Sequence, residues 1–106
     1  MVALNEAVSL ISDGALLVDV REDDEFSNGR SADAVHIRLS ELPDRLDELP
    51  RDRQIVCTCR SGGRSGRATE FLLAQGFDVV NLEGGMLAWQ EAGIPMVADA
   101  GEPFVE

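Results

Sequence analysis

A chain of 106 residues suits one domain and buries roughly two-thirds of its unfolded surface without a disulfide or metal staple. Its 44% hydrophobic and 27% charged residues are those of a globular protein, and no apolar run approaches the roughly 20 residues of a membrane span. A net charge of −11, from 20 acids against 9 bases, disfavours a nucleic-acid backbone or an anionic membrane as partner.

Residues from about Asn5 to Ser12 carry apolar side chains at helical spacing (Ala7, Val8, Leu10, Ile11), and Gly14 ends them. No basic segment precedes them, so a signal peptide is not expected and the chain reads as cytoplasmic. The continuous apolar run Ala15 to Val20, with Asp19 near its end, predicts a buried parallel strand. Arg21 to Asn28 predicts a short acidic helix stopped by Gly29, and Val35-His36-Ile37 a short strand. The single histidine, His36, sits in an apolar stretch and reads as structural rather than catalytic. Ser40 is placed to cap a helix carrying Leu42, Leu46 and Leu49, with Pro50 beyond it.

Ile55 to Thr58 predicts the central strand. The segment Cys59-Arg60-Ser61-Gly62-Gly63-Arg64-Ser65 follows, and a helical pattern runs from Gly66 to Ala74 with Ala68, Phe71 and Leu72 on one face. Gly76-Phe77 reads as a glycine C-cap with its hydrophobic contact. Asp78 to Leu82 predicts the next strand. Gly84-Gly85 opens a last helix with Met86, Leu87 and Trp89, ended by Gly93 and Pro95, and Trp89 is expected to pack in the core with Met86. Residues 1–97 are read as the domain and 98–106 as an irregular acidic tail. Alternating strands and helices predict an α/β fold: a small, mostly parallel sheet of about five strands with helices on both faces.

In such sheets ligands meet the carboxyl ends of strands. Cys59 occupies that position, and Asp19 should share the edge. A strand-to-helix turn aims backbone N–H groups and a helix N-terminus at the sulfur, and both favour a thiolate or a bound anion. Gly62 and Gly63 let the backbone curl, and Arg60, Arg64 and Arg67 add positive charge to an acidic chain. All nine bases are arginine, so a lysine Schiff base is excluded. Two cysteines and one histidine make a poor zinc set, and no metal or other cofactor is expected. Cys57 lies two residues from Cys59, on the same strand face, with a Cα separation of roughly 6.5 Å, near the upper limit for a disulfide. It reads as a small buried hydrophobe; the alternative is a resolving thiol that closes on Cys59.

Four motifs carry a family resemblance. They are Leu17-Val18-Asp19-Val20-Arg21-Glu22 with Glu25-Phe26 and Gly29; Ala34-Val35-His36-Ile37 with Leu39; the loop from Cys59 to Ser65; and Asn81-Leu82-Glu83-Gly84-Gly85-Met86 with Ala88-Trp89 and Ala92-Gly93-Ile94-Pro95. In this order and spacing, over residues 4 to 97, they resemble the single-domain rhodaneses, a family of sulfurtransferase domains. Two departures stand out. Gly29 to Ala34 lacks the histidine, proline and second glycine usual in that family, and Arg38 replaces its usual proline. Both bear on one wall of the site, and Asp33 and Arg38 are read mainly as surface variation.

The resemblance implies a double displacement through a Cys59 persulfide, with a sulfane-sulfur donor such as thiosulfate and a cyanide or thiol acceptor, including a thioredoxin-like protein. It implies that backbone N–H groups from Arg60 to Ser65 hold the sulfur and that Arg60 and Arg64 orient the donor's sulfonate. Ser61 and Ser65 can bond the sulfur or cap the helix, with capping expected of Ser65. Arg67 is ordinary helix-surface charge. Asp19 and Arg21 support the edge, Arg21 pairing with an acid for which Glu25 is the candidate. A monomer is expected. The rival readings are a persulfide carrier in a sulfur relay, a non-catalytic binding module, and a cysteine phosphatase. The last uses a C-x5-R loop, one residue longer than the C-x4-R here.

Overall fold

The computed structural model describes residues 1–106. In chain order it contains α1 (Leu4–Ser12), β1 (Leu16–Asp19), α2 (Asp23–Asn28), β2 (Val35–His36), two 3-10 turns (Leu39–Asp44 and Leu46–Glu48), β3 (Ile55–Thr58), α3 (Gly63–Ala74), β4 (Val79–Asn81) and α4 (Gly85–Glu91). The four strands form one sheet in the order β2-β1-β3-β4, and every pairing is parallel. The expected count of about five strands is therefore too high. At the β4 edge Val2 makes only a single parallel bridge to Leu82.

Side chains alternate across the sheet and divide the core in two. On one face Val18, Ile55, Cys57, Cys59 and Val79 pack with Ala68 and Leu72 of α3, Leu42 and Phe77. On the other, Leu17 and Val56 pack with Ala7 of α1 and with Met86 and Trp89 of α4. Trp89 lies in the core, as expected, and its indole Nε1 donates to Pro95 O at 3.3 Å. α3 ends as its sequence predicts: Gly76 adopts φ +90°, Gly76 N–H bonds Leu73 O, Phe77 N–H bonds Leu72 O, and the Phe77 ring is buried.

Two elements differ from expectation. The helix expected after Ser40 is a pair of 3-10 turns with no side-chain cap, and Pro43 within the first disfavours an α conformation at Leu42 before it. α3 starts at Gly63, three residues before the expected Gly66, because Gly62 at φ +114° already turns the chain and serves as the N-cap. The tail after Val97 has no regular structure, yet it is held down. Asp99 N–H bonds Ser27 O at 2.9 Å, Phe104 N–H bonds Asn28 O at 3.0 Å, and Val105 is buried. Gly29 sits beneath it, where an added Cβ would fall 2.4 Å from Phe104 O.

Candidate active site

β3 ends at Thr58, so Cys59 is the first residue past the sheet ladder, at the carboxyl edge. The next three residues turn the chain into α3. The peptide carbonyls of this turn face away from the sulfur and have partners outside it. Met86 N–H of α4 donates to Cys59 O at 2.8 Å, Leu87 N–H donates to Arg60 O at 3.0 Å, and the Asn81 amide donates to Gly62 O at 3.0 Å. These bonds fix the loop backbone on either side of the Ser61–Gly62 peptide, whose N–H meets Cys59 Sγ at 3.1 Å. The close approach of α4 depends on Gly85, at φ +56°, where a Cβ would lie 2.5 Å from Cys59 O and 2.6 Å from Arg60 O.

Ser65 stands in the first turn of α3, three residues past the N-cap, and is fully buried. Its hydroxyl donates to Cys59 Sγ at 3.3 Å. The expected capping role is thus replaced by a bond to sulfur, since the helix begins early enough to bring Ser65 round to face the cysteine. Burial opposes ionisation of Cys59. The Ser65 hydroxyl and the backbone N–H groups of Ser65, Gly62 and Ser61 outweigh it and hold the thiol below its ordinary range. Ser61 contributes through its backbone, and its side chain is exposed. Gly63 opens the helix, and a Cβ there would meet nothing within 4 Å, so the loop needs Gly62 for its conformation but not Gly63 for space.

The two loop arginines are already engaged. Arg64 forms a two-pronged pair with Glu25 of α2, Nη1 to Oε1 at 2.7 Å and Nη2 to Oε2 at 2.8 Å. The hydrogen bonds from Arg64 work against burial and hold the Glu25 carboxyl down to about 2. Arg60 is exposed, and its Nε donates to the main-chain oxygen of Glu106. Arg67 is exposed one turn along α3.

Arg21 does not pair with Glu25. Asp19, two residues away and fully buried, takes the guanidinium instead, Nε to Oδ1 at 3.0 Å and Nη2 to Oδ2 at 2.8 Å. The remaining reach of Arg21 goes to main-chain oxygens, Gly29 O at 2.7 Å and Glu25 O at 3.3 Å. The pair therefore ties the end of β1 to α2 and to the glycine that follows it, and is part of the frame. His36 also belongs to the frame. Its ring stacks on Phe26 at 4.1 Å, and Nε2 lies 2.7 Å from Arg21 O.

Cys57 is fully buried in β3, and burial pushes its thiol up to about 12. Of the departures from the family pattern, Asp33 lines a cavity of about 340 Å³ between α1 and α4 that includes no residue of the Cys59 loop. Arg38 pairs with Glu41 at 3.1 Å and lies 3.7 Å from Asp23. No group of three or more histidine, cysteine or acidic side chains is arranged to hold a metal ion.

A parallel sheet with a cysteine loop at the end of its central strand is one pattern, and the rhodanese-like domain family model matches it over residues 3–92. The chain belongs to the rhodanese-like domain family. A sulfurtransferase of Allochromatium vinosum is 42% identical over 91 residues, covering 85% of this chain and 85% of that protein. The thiosulfate sulfurtransferase GlpE of Pseudomonas syringae is 35% identical over 86 residues, covering 80% of this chain and 81% of that protein. A rhodanese-related protein of Thermoplasma volcanium superposes with a TM-score of 0.85 at 34% identity, covering 91% of this chain and 95% of that one. Within this rhodanese-like frame, Asn81 has no site role in the sequence reading, and Glu25, the expected partner of Arg21, meets Arg64 instead. Both stand inside the quoted motifs, but only the fold brings one to Arg64 and the other to Gly62.

Proposed function

We propose that the protein transfers sulfane sulfur through a persulfide on Cys59. The observation that carries this reading is the sulfur itself, ringed by the Gly62 N–H and the Ser65 hydroxyl and shifted toward thiolate. In the first half-reaction the thiolate attacks the outer sulfur of a donor. With thiosulfate a new S–S bond forms, the old one breaks, and sulfite departs with its electron pair. The charge is three negative before and after. The persulfide anion on Cys59 is then held by the same N–H groups, which stabilise charge on either sulfur without reorganising. In the second half-reaction cyanide or a thiolate, borne by a small molecule or a thioredoxin-like protein, takes the outer sulfur and restores the Cys59 thiolate.

No separate general base is required, because the loop supplies the ionised thiol. Cys59 is only 1% exposed, which suits a slender outer sulfur better than a bulky disulfide. The occupied Arg60 and Arg64 also suit a persulfide carrier, charged by another protein rather than by free thiosulfate. A cysteine phosphatase needs an arginine free to hold phosphate, and neither loop arginine is free. Aryl phosphate turnover is therefore not expected.

The test is intact mass after brief incubation with thiosulfate, for the wild type and Cys59→Ser. The expected result is a gain of one sulfur atom, lost on adding cyanide and absent in the variant. A gain that persists in Cys59→Ser overturns the assignment of the nucleophile.

A further inference from the structure

Glu25 makes two sets of contacts at once. Its carboxylate fills both outer nitrogens of Arg64, and Oε1 also accepts the N–H of Glu22 at 3.1 Å, one half of the capping box that starts α2. The acid is thus fixed at both ends, and the pair is more than a mobile surface contact: the Glu25 side chain is 13% exposed and that of Arg64 29%.

We propose that Glu25 is a donor-selecting residue: by occupying the Arg64 fork it denies a dianionic donor its cation and biases the Cys59 loop toward sulfane donors of low charge, such as a hydropersulfide, over thiosulfate. The inference rests on the sulfur-transfer reading above and refines its donor class.

Charge arithmetic at the mouth supports it. Arg60 is engaged by the Glu106 main-chain oxygen. Of the nine arginines, eight donate to acceptors of the chain itself, and the ninth is Arg67. Arg64 feels the Cys59 thiolate and Glu22 as well as Glu25, so this loop cation is outnumbered by the anionic groups around it. Attack on thiosulfate brings a thiolate and a dianion together, three negative charges in a field set by a chain of net charge −11. Attack on the neutral, protonated form of an alkyl hydropersulfide brings only the thiolate's one. There Cys59 bonds to the outer sulfur, the S–S bond breaks, and the alkyl thiolate leaves with the electron pair. The transferred sulfur keeps its proton, which is then lost to solvent. A glutamate that cancels Arg64 therefore costs the first reaction much and the second little.

Glu25→Gln tests this cleanly. Glutamine keeps the side chain's size and serves in a capping box, so α2 retains its start. The readout is kcat/KM for the donor, which in a double displacement reports the first half-reaction alone. It is measured with thiosulfate and with a hydropersulfide of an uncharged alkyl group generated in situ, cyanide being the acceptor, at low and high salt and at one fixed pH. For Glu25→Gln, kcat/KM with thiosulfate is expected to rise about tenfold at low salt and less at high salt, while the hydropersulfide value stays within about twofold. Arg64→Gln is expected to lower the thiosulfate value, and the double variant, which has the wild type's net charge, to return near it. These two keep the test alive should the single glutamine fail to fold. A thiosulfate value that falls or stays level in Glu25→Gln, or donors that move together, overturns the inference while leaving Cys59 persulfide chemistry intact. Failure of both donors to add sulfur to Cys59 in wild type and variants overturns the sulfur-transfer reading itself, and this inference with it.

Discussion

Cys57 and Cys59 stand two residues apart, face the same side of the sheet and pack in the same apolar cluster, yet their thiols shift in opposite directions. Cys57 lies inside β3, paired in register with Val18 and Asn81, and the peptide groups around it are spent on the sheet ladder. Burial acts on it with nothing comparable in opposition, and its thiol stays protonated. Cys59 is just beyond the last rung. There the backbone leaves the ladder, its carbonyls are taken by α4 and Asn81, and its N–H groups turn to the sulfur. Reactivity is thus set by where a cysteine sits relative to the strand's end and by what occupies the loop carbonyls.

The strongest way to break the contrast is to push α4 off the loop. Gly85→Ala adds a Cβ within 2.6 Å of two loop carbonyl oxygens, at a φ of +56° that side chains rarely adopt. Sulfur transfer is expected to fall about a hundredfold, the scale for losing an anion-stabilising donor. The pH profile of Cys59 alkylation should move up toward that of an ordinary thiol, while circular dichroism keeps the α/β signature. Wild-type alkylation in this variant would mean that α4 does not aim the loop. Ser65→Ala acts next in size. It removes one donor to the sulfur and leaves the backbone donors in place, so alkylation at neutral pH is expected to slow roughly tenfold. An unchanged rate would assign the thiolate to the backbone alone.

Much of this frame is legible in the chain. The apolar runs at Leu16 to Asp19 and Ile55 to Thr58 state buried parallel strands, and Gly76-Phe77 states a helix end, because each depends on neighbours in sequence. The interruption after Ser40 was also within reach of a local rule, since Pro43 disfavours an α conformation at Leu42 in the helix that Leu42, Leu46 and Leu49 suggest. The partners of charged groups were not legible. Glu25 stands four residues from Arg21 and thirty-nine from Arg64, yet it pairs with the distant one, because the nearer arginine finds a buried carboxylate in Asp19 first. Ser65 misleads for a related reason: its role turns on a helix start fixed by the conformation of Gly62, three residues away.

The smallest effect on sulfur transfer, and the most direct test of the contrast, belongs to Cys57→Ala. A thiol sealed in β3 takes no part in the transfer, so turnover is expected to stay within about twofold, at a cost of about 1 kcal/mol from lost packing at neutral pH. A tenfold slower turnover with Cys59 persulfide formation intact would instead make Cys57 a resolving thiol. Alkali then separates the two cysteines by sign. With the folded Cys57 thiol pushed up to about 12 from an ordinary 9.0, the unfolded chain sheds this proton above pH 9 while the folded chain keeps it. Stability should therefore fall as pH rises from 9 toward 12, with a limiting slope of about 1.4 kcal/mol per pH unit. Cys59 works the other way. Its folded thiol is lowered, so its contribution grows as pH rises toward 9.0, is complete above it, and is lost as pH falls through the folded value. The chain has no lysine and no tyrosine, so between pH 9 and 12 the cysteines titrate with little interference. Denaturant melts across that window should show the alkaline decline in the wild type and its loss in Cys57→Ala. A decline that survives the substitution would show that the buried thiol is not its source.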